Sequence, residues 1–481
     1  MKKLLYITLI LLPFWGCNDF LDEVDQDKII PETTDHFASL LLKEFNYATN
    51  TTYRNVNYMT DDLRERNGAD ATNTKKKGMK TFYTWQRELE IDEDGGTVRY
   101  ANSAWGDIYE DIAIANYVIE LVDDAIGSIE EINYIKGEAY FIRAYSYFNL
   151  LNLYGVPFNA ATASSDLGVP LRLDTGVERT YRRSSVAECY SQVEADLEQA
   201  MMLIEESGLT KSKWHPNAAT CNLLMSRVLL YQRKWADVIT YADKVLDKYS
   251  LSVMRTGIPF ISDENDEVLY SFQTGLISGW SSGSEKYFAV TSELYNSYDD
   301  ADRRKQTFFT GMTAETGEAY NWTAKYNTSF TSMGFANFRV AEAVLNRAEA
   351  YAASNQATLA IDDIKMLDAH RYTSTDDVVY PDNDSEVLSY VLSERRKELC
   401  FEEHHRWFDL RRMDSRPEIK HVYSVIDETG YLLQTETYTL FSDDPNYTLP
   451  LPLDERENNL LIRNVERYEK FPVIEEYLVI P

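Results

Sequence analysis

The chain has 481 residues, 44% hydrophobic and 26% charged, a balance that fits a globular protein and excludes a disordered one. Its formal net charge of -30 excludes a nucleic-acid partner, because a phosphate backbone needs a basic footprint and Lys75 to Lys77 is only a short run. The 34 Tyr, 20 Phe and 8 Trp are ample for a core, an interface or flat platforms that stack on sugars.

Lys2 and Lys3 precede an apolar run from Leu4 to Trp15, and Gly16-Cys17 follows. The run falls short of the roughly 20 residues that a spanning helix needs, so residues 1–16 read as an export signal. A cysteine at the new N-terminus offers sulfur and amine to several acyl chains, which makes Cys17 the expected lipid attachment site. The rival reading is an unpaired cysteine behind an ordinary signal peptide. Residues 17–34, rich in Asp around Phe20 and Leu21, read as an acidic tether, and 35–481 as a single body. Cys189, Cys221 and Cys400 are odd in number and widely spread, so they read as small buried residues and not as a disulfide framework.

Thr34-Asp35 introduces a helix carrying Phe37, Leu40, Leu41 and Phe45 at helical spacing. Over 53–96 the periodicity breaks into Asp61, Asp62, Arg64, Glu65 and Arg66, a polar run from Ala71 to Gly78, and then Phe82, Tyr83 and Trp85. A long irregular excursion in a helical protein is more often a binding loop than filler, although these aromatics can equally plug the loop onto the helices. Trp105, Tyr109, Ile112, Asn116 and Ile119 form one helical stripe, and Phe141, Tyr145, Phe148 and Leu151 another. The link Ile126-Gly127-Ser128 folds the two into an antiparallel pair.

Ser185 with Glu188 three residues later predicts a capped helix through Met202. Ala218 to Tyr231 and Lys234 to Tyr249 repeat the alternation of small and large residues, which points to tetratricopeptide-like packing. A second irregular zone spans 257–331, with a strand pattern at Glu267 to Phe272 and aromatics at Trp280, Tyr287, Phe288 and Trp322. Asp299, Asp300 and Asp302 lack the Gly and final Glu of a calcium loop and read as solvated turn acids. Phe338 to Ala353 and Ala357 to His370 restore the helical rhythm, and Ser385 to Arg412 reads as one further helix. Prolines assign the aromatic tail to a peripheral wrap. The fold class is mostly α: helical hairpins mainly at 98–155, 185–250 and 338–412, with a large irregular loop-rich region and minor β hairpins.

The densest ionisable cluster is Glu402, Glu403, His404, His405 and Asp409. Adjacent histidines on a helix point apart and no HExxH pattern accompanies them, so ion pairing with Arg406, Arg411 and Arg412 is the simpler reading. No nucleophile elbow, phosphate loop, dinucleotide fingerprint or C-x-x-C pair occurs, and no cofactor or metal is expected. Glycoside hydrolysis needs only two carboxylates, and 78 acidic residues supply candidates without identifying any.

Taken together, several stretches resemble the SusD/RagB family of outer-membrane nutrient-binding lipoproteins of the Bacteroidota. They are Cys17 to Asp22, Trp105 to Glu120, Lys136-Gly137-Glu138-Ala139 with Arg143 to Phe148 and Leu153-Tyr154-Gly155, Asn217 to Leu246, Phe338 to Glu342, and Glu394 to Glu402. One departure is Glu403-His404-His405, where the family commonly has a Gly before the aromatic motif. The resemblance implies a non-catalytic, lipid-anchored protein facing the cell exterior that hands oligosaccharide to a TonB-dependent (SusC-like) transporter. The expected ligand contacts are Trp85, Trp280 and Trp322, with Tyr83 and Tyr287 behind them. The competing functions are a secreted helical glycosidase and a helical-repeat interaction protein that binds no sugar.

Overall fold

A computed structural model describes residues 31–46, 55–66, 74–92, 94–98, 102–176, 180–255, 260–272, 287–314, 317–325, 334, 336–426 and 431–477. The expected signal peptide and Cys17 lie outside the described residues.

Helix α1 (Thr34–Asn46) is followed by strand β1 (Leu63–Glu65) and α2 (Thr74–Tyr83). The helical stack then runs through α3 (Ala104–Leu121), α4 (Ile129–Tyr154), α5 (Val186–Ser207), α6 (Ala218–Tyr231) and α7 (Trp235–Leu246). Next come β2 (Val268–Phe272), β3 (Phe288–Val290), α8 (Ser292–Asn296), α9 (Arg303–Phe308), β4 (Phe309–Thr313), β5 (Ala319–Thr323) and β6 (Ala336–Arg339). The last third holds α10 (Val340–Ala353), α11 (Ala357–Arg371), α12 (Asp384–Leu399), α13 (His405–Arg412), β7 (Ile419–Ile426), β8 (Leu432–Leu440), α14 (Leu453–Asn458) and β9 (Val473–Glu476).

Helix α4 packs against both α3 and α5, α6 against α5 and α7, and α10 against α7, α11 and α12. Local chemistry starts these helices where expected. Ser128 and Glu131 form a reciprocal capping box on α4, as do Ser185 and Glu188 on α5 and Asn217 and Thr220 on α6. The reading of α4 as one-faced needs correction, because from Tyr134 onward it is enclosed on nearly all sides. Several of its buried polar residues find partners: Arg143 grips Asp196 at 2.6 and 2.9 Å, and Tyr145 Oη donates to Glu403 at 3.0 Å. Gly137 lets α5 close in, since a Cβ there would stand 2.9 Å from Ile204 and 3.2 Å from the Ala200 carbonyl.

Two predicted spans differ. Of the polar run before Phe82, the part from Thr74 onward is helical, because Lys76 is buried in an ion pair with Glu65 and lies 4.4 Å over the Tyr423 ring. The single helix predicted from Ser385 to Arg412 is two, α12 and α13, broken where Phe401 (φ 60) and Glu403 (φ 45) take left-handed backbone conformations. Such conformations cost roughly 1–2 kcal/mol each in non-glycine residues and need compensation. It comes from the carboxylates that the break delivers inward. Glu402 accepts from Lys325 at 2.7 Å and from Arg339 at 2.7 and 2.9 Å, while Glu403 accepts from Arg227 at 2.9 Å. Glu398 and Glu267 meet Arg339 and Arg371 beside them, all four side chains fully or almost fully buried.

Among the described residues the strands are few and antiparallel. Pairs β1–β3, β2–β6 and β4–β5 stand alone, and β7, β8 and β9 form a three-stranded sheet with β9 at its edge. That edge position agrees with a peripheral tail.

Candidate ligand-binding face

Strand β1 pairs with β3 in the register Leu63↔Val290, Arg64↔Ala289 and Glu65↔Phe288, and the β4–β5 hairpin packs beside β3. The hairpin turns through Gly317, whose φ of 85 suits glycine, and this sets Glu318 next to β1. Two arginines reach that carboxylate: Arg64 at 3.1 Å and Arg66 at 3.3 Å. The Arg66 guanidinium also lies 4.5 Å over the Tyr320 ring, and its backbone N–H donates to the Tyr287 carbonyl at 2.9 Å. The Arg64 side chain is 33% exposed, so its fork is reachable from solvent. The partly open Arg64 guanidinium and the Glu318 carboxylate supply the donors and acceptors that sugar hydroxyls require, while the Tyr320 ring, 7% exposed, lies beneath Arg66.

The predicted contact residues take other positions. Trp85 and Tyr83 are wholly buried, with His421 sandwiched between them at ring separations of 4.3 and 4.2 Å. Trp85 Nε1 donates to the Met59 carbonyl at 2.9 Å, and Tyr83 Oη accepts from the Glu65 N–H at 2.8 Å. These two residues are therefore core and present no ring face for stacking; the plug reading of that loop is the one the structure supports. Trp322 and Tyr287 are 3% and 6% exposed and lie in the apolar layer under the face, not on its surface. Trp280 lies outside the described residues.

Burial holds the His421 imidazole down at about 4, although the Tyr83 and Thr60 carbonyls, 2.6 and 3.0 Å from its ring nitrogens, pull the other way. Asp61 and Asp62, adjacent in sequence to Arg64, are structural. Burial would raise the Asp61 carboxyl, but Arg406 and Arg396 bring it to about 2, and Asp62 pairs with Arg396 at 2.7 Å.

The His404 and His405 cluster holds no metal set. Burial pushes His404 down to about 3 and His405 well below its usual range, and no group of three or more His, Cys, Asp or Glu is placed for a metal among the described residues. The ion pairing predicted there is right for Arg412 with Asp409, at 2.8 Å. It is wrong for Arg406, which pairs with Asp61, and for Arg411, which donates to backbone carbonyls of Asn152 and Gly155. Asp302 is likewise no solvated turn acid, being buried against Arg304 at 2.8 Å. Glu318 and Tyr320 escaped the sequence reading; their signal is the alternation on either side of Gly317.

Comparison with known proteins bears on this architecture. Residues 19–230 match a SusD-like family model described as starch-binding and associating with the outer membrane, and residues 248–468 match the SusD family model. The chain belongs to the SusD family. SusD-like protein P2 of Formosa agariphila is 24% identical over 96% of this chain and 99% of its own length. A SusD-like carbohydrate-binding protein of Bacteroides vulgatus superposes with a TM-score of 0.69 at 22% identity, covering 90% of this chain and 97% of that one. A SusD superfamily protein of Bacteroides thetaiotaomicron gives 0.68 at 19% identity over 90% and 100%. Membership in the SusD family makes this a non-catalytic binding protein of the outer-membrane-associated type.

Proposed function

We propose that this SusD-family protein binds oligosaccharide at the cell surface and delivers it to a TonB-dependent, SusC-like transporter. The observation that carries the reading is the succession of two SusD-family matches along nearly the whole chain, on the fold those matches require. Residues 1–16 act as the export signal, Cys17 carries the lipid, and residues 17–34 tether the body with its ligand face toward the exterior. Arg64 and Glu318 hydrogen-bond with the glycan, while Arg66, Tyr320, Trp322 and Tyr287 support them from below and Trp85 and Tyr83 hold the layer beneath the neighbouring sheet.

The protein's strong negative charge disfavours heavily sulfated or uronic ligands and favours neutral ones. Titration calorimetry of the chain starting after Cys17 against neutral oligosaccharides tests the binding step. Measurable heat of binding without product release is expected; turnover of the glycan would replace binding by hydrolysis as the function. Co-purification of the full-length lipoprotein with an outer-membrane transporter tests the delivery step, and its absence from such complexes would refute it.

A further inference from the structure

We propose that a cleft between α3, residues Pro170, Arg172, Thr180 and Tyr181, and α14 is a second saccharide site, taking a neutral sugar unit. This inference rests on the glycan-binding reading above but uses none of the residues of the strand-built face. The cleft encloses about 480 Å³, within the range of about 300–1,000 Å³ usual for small-ligand sites. Its apolar side is formed by Trp105 and Tyr109 of α3, whose rings lie 4.9 Å apart and which are 5% and 8% exposed. Gly106 and Ala113 stand on the open side of the same helix, and a Cβ built on Gly106 meets nothing within 4 Å. The floor is therefore left clear.

The walls are fixed in advance of any ligand. Tyr109 Oη donates to the Pro170 carbonyl at 2.7 Å, Tyr147 Oη to the Arg172 carbonyl at 2.6 Å, and Asn116 Nδ2 to the same carbonyl at 3.0 Å. Asn116 is itself held by Arg143 at 2.8 Å. On the far wall Trp105 Nε1 donates to Glu455 at 3.2 Å, and Asn459 Nδ2 ties Glu455 (2.9 Å) to the Tyr181 carbonyl (3.0 Å). Carbonyls of Pro170 and Arg172 pinned by three buried donors keep that stretch of backbone in place, which removes ordering cost from binding.

Within this frame Arg172 is the singular group. Its guanidinium lies 5.2 Å over the Tyr181 ring, its one described side-chain hydrogen bond is a long 3.5 Å contact to the Gly176 carbonyl, and no carboxylate among the described residues pairs with it. In a chain with formal charge -30 an arginine left to carbonyl and ring contacts retains donor capacity for a ligand. The carboxylates of Glu110 and Glu455 on the same lining oppose an anionic ligand and accept from hydroxyls. Donors and acceptors beside the rims of two rings together suit the vicinal hydroxyls of a neutral sugar.

The test is titration calorimetry of the chain starting after Cys17 with maltohexaose, xylohexaose and mannohexaose as separate probes. Wild type is compared with Arg172→Ala, with Arg64→Ala, and with Gly106→Gln, which fills the clear floor without touching the core. Two sites per chain are expected for at least one probe. Arg172→Ala and Gly106→Gln each weaken one of them at least tenfold at an unchanged melting temperature, and Arg64→Ala weakens only the other. A single site lost in Arg64→Ala but indifferent to Arg172→Ala and Gly106→Gln overturns the second site and leaves the proposed function standing. Absence of binding to every probe overturns both.

Discussion

Arginine meets glutamate both at the junction of α12 with α13 and on the face built from β1, β3, β4 and β5. At the junction Arg339 and Arg371 are fully buried among Glu267, Glu398 and Glu402, and Arg339 and Lys325 share Glu402. On the face Arg64 and Arg66 share Glu318, and the Arg64 side chain is one-third open to water, at 33%. Enclosed charges locked to one another hold a chain break in place, whereas the partly exposed Arg64 adds little stability through its pair and keeps hydrogen-bonding capacity for a ligand. Burial, and not residue type, thus separates the enclosed junction from the open Arg64 fork.

Breaking the junction gives the largest effect. Arg339→Ala leaves Glu398 and Glu402 short of a buried partner and is expected to cost about 3–5 kcal/mol, read as a lowered urea midpoint. A loss below about 1 kcal/mol would mean that the carboxylates protonate or rewet without consequence. Trp85→Ala belongs to the same class, with about 3–5 kcal/mol lost on emptying the pocket beside His421. The fraction that remains folded should bind glycan as wild type does, which a binding isotherm corrected for active protein will check.

Acid weakens the buried scaffold more gently. His404 and His421 are held at about 3 and about 4, below the unfolded value near 6.5, so the unfolded state binds more protons between those limits. Their contribution is complete above about pH 6.5 and falls as the pH drops toward the folded values. Each histidine should remove about 2 kcal/mol of stability by pH 5 relative to pH 7. His421→Gln should flatten the dependence in chemical denaturation series at several pH values, and an unchanged slope would rule out His421 as a source.

How far these regions were legible in sequence follows the same division. The Ser185 cap and the hairpins α3–α4 and α6–α7 depend on neighbours three or four residues away, and the sequence displays them directly, whereas the caps Ser128 and Asn217 escaped the sequence reading. The break after Leu399 is not displayed, because Glu394 to Arg412 is rich in helix formers and the left-handed turn at Glu403 is set by Arg227, far away in the chain. Helix α2 was hidden for a related reason: Lys75 to Lys77 look solvated until Glu65 and Tyr423 are known to enclose Lys76. Trp85 looked like a sugar platform because it sits in unpatterned sequence. Its partners His421 and Met59 come from opposite ends of the chain.

The smallest stability effects sharpen the comparison from the other side. Ser128→Ala removes one half of a capping box on an otherwise buried helix and should cost about 1 kcal/mol, visible as a small shift of the unfolding midpoint. Arg64→Ala should change stability by less than about 1 kcal/mol, since its pair is partly exposed. Its effect belongs in binding.

Calorimetry of wild type and Arg64→Ala with the best neutral oligosaccharide of a panel is therefore the most direct test of the central claim that this face binds glycan. The account predicts at least a tenfold loss of affinity at the face with an unchanged unfolding midpoint. Equal affinities for the two proteins, or no binding by the wild type, would contradict it.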